Sequence, residues 1–596
     1  VIPDLQTFVD LLRREGELVA IDVPCDPHLE IAEIHRRVIA AEGPALLFKR
    51  PSGASFPVVT NLFGNAKRVE LAFGKRPQAF VQKLVDLTHE LVPPTVGKLW
   101  DNRSFFWEAT KVGMATRSGG AVTEVVDDPP ALDRLPMLHC WKEDGGPFIT
   151  LPLVYTEHPE HGGHNLGMYR VQRYDDRTTG MHWQIGKGGG FHHAAAEAAD
   201  QPLPVTVFVG GPPALMLSAI APLPENVPEL LLASLALGGK LPRTPNPVGP
   251  HPLVANAEFA LVGEVPPHVR RPEGPFGDHY GYYSLEHDYP VFQCKALCRR
   301  KDPIFPATVV GKPRQEDFFL GDFLTELLSP LFPLVMPAVR SLWSYGETGY
   351  HSLSAAVVHE RYEREAMASA FRILGEGQLS LTKFLLLTDA PVDLKDFPAT
   401  LEAVLARFRP ETDLYVLSNL SMDTLDYTGP EVNKGSKGVM LGIGEPVRDL
   451  PRQFQGELPP GFGPAKAYCG GCLVVQAPGW KDMTQVPLEL ADRAPDWPLV
   501  VLVDDVEEAT RSDARFLWTT FTRFEPAADL HARHRVHRHH LVYTGPVLLD
   551  ARKKPNLPDE LFCDPDTAKL VHARWAEYFP AGGVEMGDSD VGHLDS

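Results

Sequence analysis

The residues of this 596-residue chain best suited to chemistry lie in four short stretches: Asn165-Leu-Gly-Met-Tyr-Arg170, Met181-His-Trp-Gln184, Pro228-Glu229 and Pro272-Glu-Gly-Pro-Phe-Gly-Asp-His279. Together they supply an amide, an arginine and three carboxylates, a set suited to a metal-held anionic cofactor beside an acid/base pair. Arg170 has a planar fork that can hold a carboxylate bidentately, and Glu273 and Asp278 lie in a Pro/Gly-rich loop whose kinks can turn both inward. Such a network lets one acid stay ionised against Arg170 while the other cycles a proton near a desolvated ring. A purely structural ion-pair network would use the same three residue types. Asn165 offers a neutral oxygen and Glu229 an anionic one, the hard ligands that manganese or magnesium prefers when bridging to a phosphate. Taken alone, Glu229 in Pro-Glu-Leu-Leu-Leu also reads as a helix-start carboxylate favoured by the dipole.

Other features carry less. Gly186-Lys-Gly-Gly-Gly190 can bring backbone N–H groups close to a phosphate with Lys187 as a point charge, or serve as an ordinary turn. His531, His534, His537, His539 and His540 are interleaved with Arg533, Arg535 and Arg538, the pattern of a solvated basic edge more than of a metal site. Seven scattered cysteines do not suggest a disulfide framework and suit a reducing compartment. Cys469-Gly-Gly-Cys472 has no second pair to complete a zinc site and reads as structural.

The elements that must position these residues follow from length and patterning. A chain of this size is expected to form three or four domains. Lys plus Arg number 57 against 77 Asp plus Glu, a net charge of −20, which opposes nonspecific attraction to nucleic acid or anionic membrane. No apolar run is expected to span a bilayer, and Val1-Ile-Pro-Asp4 lacks a signal-like pattern, so a soluble cytoplasmic enzyme is expected. The fold class expected is α/β (α+β). Leu5, Phe8, Val9 and Leu12 predict a helix over 4–15, then a strand at Leu18–Ile21, a helix over roughly 29–41, and short strands at 43–48 and 56–60, an N-terminal α/β domain over 1–105. From 106 to 320, short apolar runs such as Val205–Val209, Phe259–Val262 and Val291–Cys294, punctuated by Pro and Gly, predict a β-barrel or sandwich holding the whole constellation.

After 320 helices and strands alternate: an α/β domain is expected over 321–450 and a second copy of it, with a tail, over 451–596. The duplication runs at a gap-free offset of 116. Asp389 recurs as Asp505, and Leu401, Arg407, Phe408, Pro410, Asp413 and Leu414 recur as Leu517, Arg523, Phe524, Pro526, Asp529 and Leu530. Tyr427-Thr-Gly-Pro430 recurs as Tyr543-Thr-Gly-Pro546, which sets Lys434-Gly-Ser-Lys437 opposite Asp550-Ala-Arg-Lys553.

The order of these motifs, with Asp26-Pro-His-Leu-Glu-Ile31, Asn61-Leu-Phe-Gly64 and Gly435-Ser-Lys437, closely resembles the UbiD family of reversible (de)carboxylases that use prenylated FMN, over roughly residues 1–445. The resemblance implies an N-terminal α/β domain, a flavin-binding split β-barrel and a C-terminal α/β domain carrying oligomer contacts, so a homo-oligomer, dimer or higher, is expected. It implies that Asn165 and Glu229 bind a divalent metal, usually Mn2+, anchoring the flavin phosphate, with K+ nearby. Met168, Tyr169, Arg170, His182, Trp183, Gln184, Lys187 and Gly188 would line the cofactor, with Lys437 a weaker contact. Arg170 and Glu273 would orient the substrate carboxylate and Asp278 would protonate the carbon that loses carbon dioxide; a flavin prenyltransferase would supply the cofactor.

Two departures stand out. Many relatives carry His where Gly186 stands, so a third protein ligand is absent or comes from water, His192 or His193. Asp278 replaces the Glu of the aryl-acrylic-acid branch, which favours a carboxylate attached directly to an aromatic ring. The long tail resembles decarboxylases of the futalosine route to menaquinone, pointing to a dihydroxynaphthoate-type acid, with a polyprenyl-hydroxybenzoate as the alternative. A noncatalytic assembly component of a carboxylase and an ordinary FMN reductase are the competing classes.

Overall fold

In the computed structural model, residues 2–91, 95–184, 188–221, 223, 228–311 and 314–588 are described. The chain divides into two compact units, Val1–Leu327 with Glu560–His593, and Leu328–Asp559.

The first unit opens with the helix Leu5–Arg14, capped by Asp4, whose carboxylate accepts from Thr7 N at 2.8 Å. Leu5, Phe8, Val9 and Leu12 are its buried face, as the spacing predicts. The parallel pair Leu18–Ile21 and Ala45–Phe48 flanks the helix Glu30–Ala40 in sequence, and Val58–Thr60 adds antiparallel. The fourth strand of this small sheet is Phe305–Pro306, supplied from beyond the barrel strands.

The site is carried by an antiparallel sheet ordered Thr178–Gly180, His287–Arg299, Phe259–Val265, Leu203–Val209, Pro152–Glu157, His164–Gly167. Arg270–Glu273 and Val125–Asp127 also pair with the long strand His287–Arg299. Its inward face and the N-terminal sheet share one core that includes Val207, Leu261, Phe292, Leu46 and Phe48. The same core takes Leu561, Val571, Tyr578 and Phe579 from the C-terminal segment, where Pro565–Tyr578 is a helix. Burying one such side chain contributes roughly 1.5–3 kcal/mol.

The second unit holds two five-stranded sheets of the same design. Val339–Ser344, Leu353–Val358, Phe384–Thr388, Lys434–Gly442 and Leu414–Ser421 form one; Ala465–Cys469, Cys472–Gln476, Leu499–Val503, His540–Asp550 and Leu530–His537 form the other. In each, parallel central strands are flanked by antiparallel ones. The helices Phe397–Arg407 and Asp513–Arg523 stand at the 116-residue offset, and Leu401, Leu405 and Phe408 share one core with Leu517, Phe521 and Phe524.

The gap-free offset does not continue past this point. Leu414 faces Met440 in the first copy and Leu530 faces Leu549 in the second, so the offset is 116 on one strand (530 − 414) and 109 on its partner (549 − 440). The cause is the turn. Residues 422–433 form a loop in the first copy, whereas Arg538 and His539, both at positive φ (49° and 61°), close a tight hairpin in the second. Tyr427–Pro430 therefore lies in a loop and Tyr543–Pro546 inside a strand, and Lys434–Lys437 is not the counterpart of Asp550–Lys553.

A second correction concerns hydropathy. The helical run Glu316–Val335, mean hydropathy 1.4, is long and apolar enough to cross a bilayer by length and composition, against the expectation that no segment is. Its first residue is tied into the first unit: the buried Glu316 carboxylate accepts from Asn61 N, Phe63 N and Thr308 Oγ1.

Candidate active site

Arg170 follows the strand His164–Gly167, and Glu273 ends the strand Arg270–Glu273, so the barrel brings together residues a hundred positions apart. Arg170 donates from Nε and Nη2 to the two carboxylate oxygens of Glu273 at 2.8 and 2.9 Å, a bidentate pair. Its Nη1 donates to Asp278 Oδ2 at 2.5 Å and its Nη2 also to Ser284 Oγ at 2.9 Å. Phe276 lies beneath the guanidinium, 4.9 Å from ring centre to Cζ. All three charged side chains are buried, Glu273 completely.

Burial alone would raise the Glu273 carboxyl, but the charge of Arg170 and the hydrogen bonds from Arg170 and His182 outweigh it and hold it near 2. Burial likewise opposes ionisation of Asp278, and the His279 side chain, then Arg170, drive it well below the usual carboxylate range. His279 grips Asp278 twice, from its backbone N at 2.8 Å and at Nδ1, 2.7 Å from Oδ1. Burial and the neighbouring Arg170 push His182 down, so it is neutral at pH 7; its Nδ1 lies 3.1 Å from Glu273 Oε2. Two carboxylates thus share one guanidinium, an excess of one negative charge that a proton would neutralise.

The loop that carries Asp278 is a small hairpin. Asp278 N donates to Tyr282 O, Gly281 N to Asp278 O and Ser284 N to Phe276 O. Gly281 sits at φ 83°, a turn conformation that suits glycine. Asp144, which no local motif signals, anchors the loop from outside: its carboxylate accepts from Gly277 N at 2.8 Å and from Cys140 N and Trp141 N at 2.9 Å. Burial raises that carboxyl to about 7 against these three donors. Gln172 holds Gly274 N in the same way, at 2.8 Å. His279 and Ser284 were within reach of sequence reasoning because they stand inside or just after the 272–279 motif.

On the neighbouring strand Asn165 pairs in register with Thr156. Its Nδ2 lies 3.5 Å from Tyr169 Oη, which also accepts from Gly189 N at 3.3 Å. Gly188 begins the helix Gly188–Ala198, and a Cβ there would stand 2.0 Å from Asn165 Oδ1, so only glycine lets this helix start approach the amide. Glu229 opens the helix Glu229–Leu237 and its Oε2 accepts from Leu166 N at 3.0 Å, next in the chain to Asn165. Burial raises the Glu229 carboxyl, against the hydrogen bond from Leu166 N.

Met168 and Tyr169 lie between Asn165 and Arg170, and Met181, His182, Trp183 and Gln184 follow the strand Thr178–Gly180. His182 Nε2 and Trp183 Nε1 are buried with no hydrogen-bond partner among the described residues, and the His182 ring packs against Tyr289, centroids 4.3 Å apart and planes tilted by 32°. With the single ring proton of neutral His182 on Nδ1 toward Glu273, its Nε2 is an orphaned acceptor and Trp183 Nε1 an orphaned donor, and these unmet polar atoms beside a helix start and a guanidinium fit a large, phosphorylated, ring-bearing cofactor. Gly186 and Lys187 lie outside the described residues. Of the suggested third metal ligands, His192 commits Nδ1 to Thr156 Oγ1 at 2.9 Å and His193 packs on Trp183, centroids 5.0 Å apart. A separate group, His158, Glu160 and His161 at the exposed hairpin tip, also has the side-chain types to hold a metal ion. Lys437 belongs to the second unit, where it donates to Thr382 O at 2.9 Å; burial lowers it to about 8 despite Asp426 and Asp423.

Cys469 and Cys472 are both buried free thiols, paired across their turn in the second copy's sheet. In the strand Leu530–His537, the residues from Arg533 on are exposed, consistent with a solvated basic edge.

Comparison with known proteins gives three consecutive matches to the family described as 3-octaprenyl-4-hydroxybenzoate carboxy-lyase (UbiD): its N-terminal domain at 9–88, Rift-related domain at 114–313 and C-terminal domain at 318–442. A Chlamydia pneumoniae protein named as one component of a 4-hydroxybenzoate decarboxylase is 50% identical over 577 residues, covering 97% of this chain and 98% of its own. An Archaeoglobus fulgidus protein without an assigned function is 37% identical over 449 residues, 74% of this chain and 91% of its own. Among solved structures, vanillic acid decarboxylase of Sedimentibacter hydroxybenzoicus in closed form matches with TM-score 0.66 at 24% identity, over 77% of this chain and 96% of that one. HmfF from Pelotomaculum thermopropionicum in complex with FMN matches with TM-score 0.61 at 22% identity, over 77% and 98%. At such identities the likeness establishes the fold, the three-domain arrangement with the barrel at its centre.

Proposed function

Because this chain belongs to the UbiD family of carboxy-lyases, we propose that it is a reversible prenylated-FMN-dependent decarboxylase acting on an aromatic acid of the hydroxybenzoate type. The observation that carries the reading is Arg170 clamped between Glu273 and Asp278, beside the buried, unpartnered His182 Nε2 and Trp183 Nε1.

Prenylated FMN, when bound, supplies the electron sink for breaking the bond between the ring carbon and the carboxylate. Tyr169, Arg170, His182, Trp183, Gln184 and Gly188 would hold its ring and phosphate, with Met168 as a further contact. Asn165 and Glu229 would hold a hard divalent ion on that phosphate, with manganese our choice and potassium its neighbour.

The chain's own residues then do three things. Glu273 fixes the plane of Arg170 through two hydrogen bonds, so the guanidinium presents Nη1 in one direction. An incoming carboxylate competes with Asp278 for that Nη1, and a second negative charge there raises Asp278 toward its protonated form. Asp278 can then deliver a proton to the carbon that lost carbon dioxide, with His279 holding its other oxygen.

The substrate class rests on names. The 50%-identical Chlamydia pneumoniae relative is named for 4-hydroxybenzoate and the Sedimentibacter structure for vanillic acid; neither favours the dihydroxynaphthoate-type acid suggested by chain length. The Chlamydia pneumoniae relative is named as one part of a larger decarboxylase, which keeps an assembly role in play as the second reading. One experiment separates them: the chain is produced with and without a flavin prenyltransferase, its cofactor identified by mass and absorbance, and carbon dioxide release measured on 4-hydroxybenzoate, vanillate and 1,4-dihydroxy-2-naphthoate. Release from the first two, dependent on the prenyltransferase, is expected. Prenylated cofactor with no release from any acid would favour the assembly role.

A further inference from the structure

The C-terminal segment that follows the second copy crosses the loop carrying the proposed proton donor. Leu561 N donates to Gly281 O at 3.0 Å, and Glu560 pairs with Tyr282 as an antiparallel bridge. Gly281 and Tyr282 are the residues whose backbones hold Asp278, through Gly281 N to Asp278 O at 2.9 Å and Asp278 N to Tyr282 O at 3.1 Å. The segment thus adds a third strand-like edge to the Asp278 hairpin, and it comes from beyond residue 442, the last that the family match covers.

The segment is itself fastened at several points. Leu561 is completely buried in the barrel core, and Cys563 is buried beside it. Lys142, two positions from Asp144, pairs with Asp564 at 3.0 Å. Asp564 also caps the helix Pro565–Tyr578 by accepting from Thr567 N at 3.0 Å. That helix is pinned by Arg574 and Tyr578, both bonded to Glu30, and by Arg37, which donates to Ala568 O at 3.4 Å. A hairpin gripped on one side by Asp144 and on the other by Leu561 has fewer ways to move the carboxylate it carries, and proton transfer is sensitive to such placement.

We propose that the Glu560–Asp564 segment is a built-in positioning clamp for Asp278, with the Leu561 backbone N–H as its key contact; the proposal rests on the reading of Asp278 as the proton donor. The test uses the full-length cofactor-loaded chain in three variants. Leu561→Pro deletes the N–H, Leu561→Ala keeps it while trimming the buried side chain, and Lys142→Met releases the latch without uncapping the helix. Amide hydrogen exchange over 276–284 is read together with the kcat and KM of decarboxylation.

Leu561→Pro is expected to speed exchange at Asp278, Gly281 and Ser284 about tenfold and to lower kcat about tenfold with KM little changed. Leu561→Ala, although less stable, should keep loop exchange relative to global unfolding near that of the parent. Lys142→Met should raise loop exchange about two- to threefold, and it decides the matter if Leu561→Pro does not fold. Parent-like loop exchange in Leu561→Pro, or in Lys142→Met where the former cannot be made, overturns the clamp. If Asp278→Asn retains full turnover while the exchange effects appear, the reading of Asp278 fails and the clamp survives as a structural contact only.

Discussion

Two buried ionic networks, one in each compact unit, contrast in how their cations are used. In the second unit Arg552 is fully buried and donates to both oxygens of Asp550, at 2.8 and 2.7 Å, and to the main-chain carbonyls of Pro478 and Met483. Lys554 beside it donates to Asp550 O and Arg523 O and pairs with Asp529 at 3.3 Å. Charges balance there, two cations against two carboxylates, and main-chain carbonyls take a large share of the donors. In the barrel, Arg170 gives its described hydrogen bonds to side chains alone, and carboxylates outnumber it. The first arrangement cements a fold. Under the proposed function the second provides a guanidinium whose partner is exchanged for a ligand, so burial of charge is not by itself the mark of a site.

The sharpest break of this comparison is Arg170→Met. It is expected to lower kcat/KM by about 10³-fold, since it removes both the carboxylate anchor and the counter-charge of Glu273 and Asp278. Steady-state kinetics on the loaded enzyme checks it. The matching change in the other network, Arg552→Met, should cost roughly 3–5 kcal/mol of stability in urea unfolding while kcat per folded molecule stays unchanged. A lowered kcat there would erase the distinction.

Acid gives a finer test. Glu273 is held at about 2, below its ordinary value of 4.5, so its contribution to stability is complete above pH 4.5 and is lost as pH falls from there toward 2. Unfolding measured between pH 6 and pH 3 should show a smaller loss in Glu273→Gln than in the parent. The smallest effect is expected at Cys469, the last residue of the strand Ala465–Cys469, which makes no ion pair in either network. Cys469→Ser should cost about 1 kcal/mol of stability and leave turnover alone.

Much of the site is legible in the sequence because its residues stand in short, unusual strings. Arg170, Glu273 and Asp278 stand out by their donor and acceptor geometry, and the barrel joins them by direct hydrogen bonds. The helix Leu5–Arg14 is legible from its apolar stripe. What escapes depends on distant partners. Phe305–Pro306 completes a sheet begun at Leu18, and nothing local in a two-residue strand announces that. Asp144 acts through the N–H of Gly277, far along the chain. The repeat is legible through its helices, where spacing is rigid, and slips at the hairpin, where Arg538-His539 replaces a longer loop.

The central claim is that Asp278 delivers the proton in a pocket organised by Arg170. Asp278→Asn, loaded with prenylated flavin and assayed for carbon dioxide release, tests it most directly. The account predicts a kcat about 10²–10⁴-fold lower with the cofactor still bound and the unfolding midpoint little changed. A kcat within about twofold of the parent, with cofactor equally retained, would contradict it.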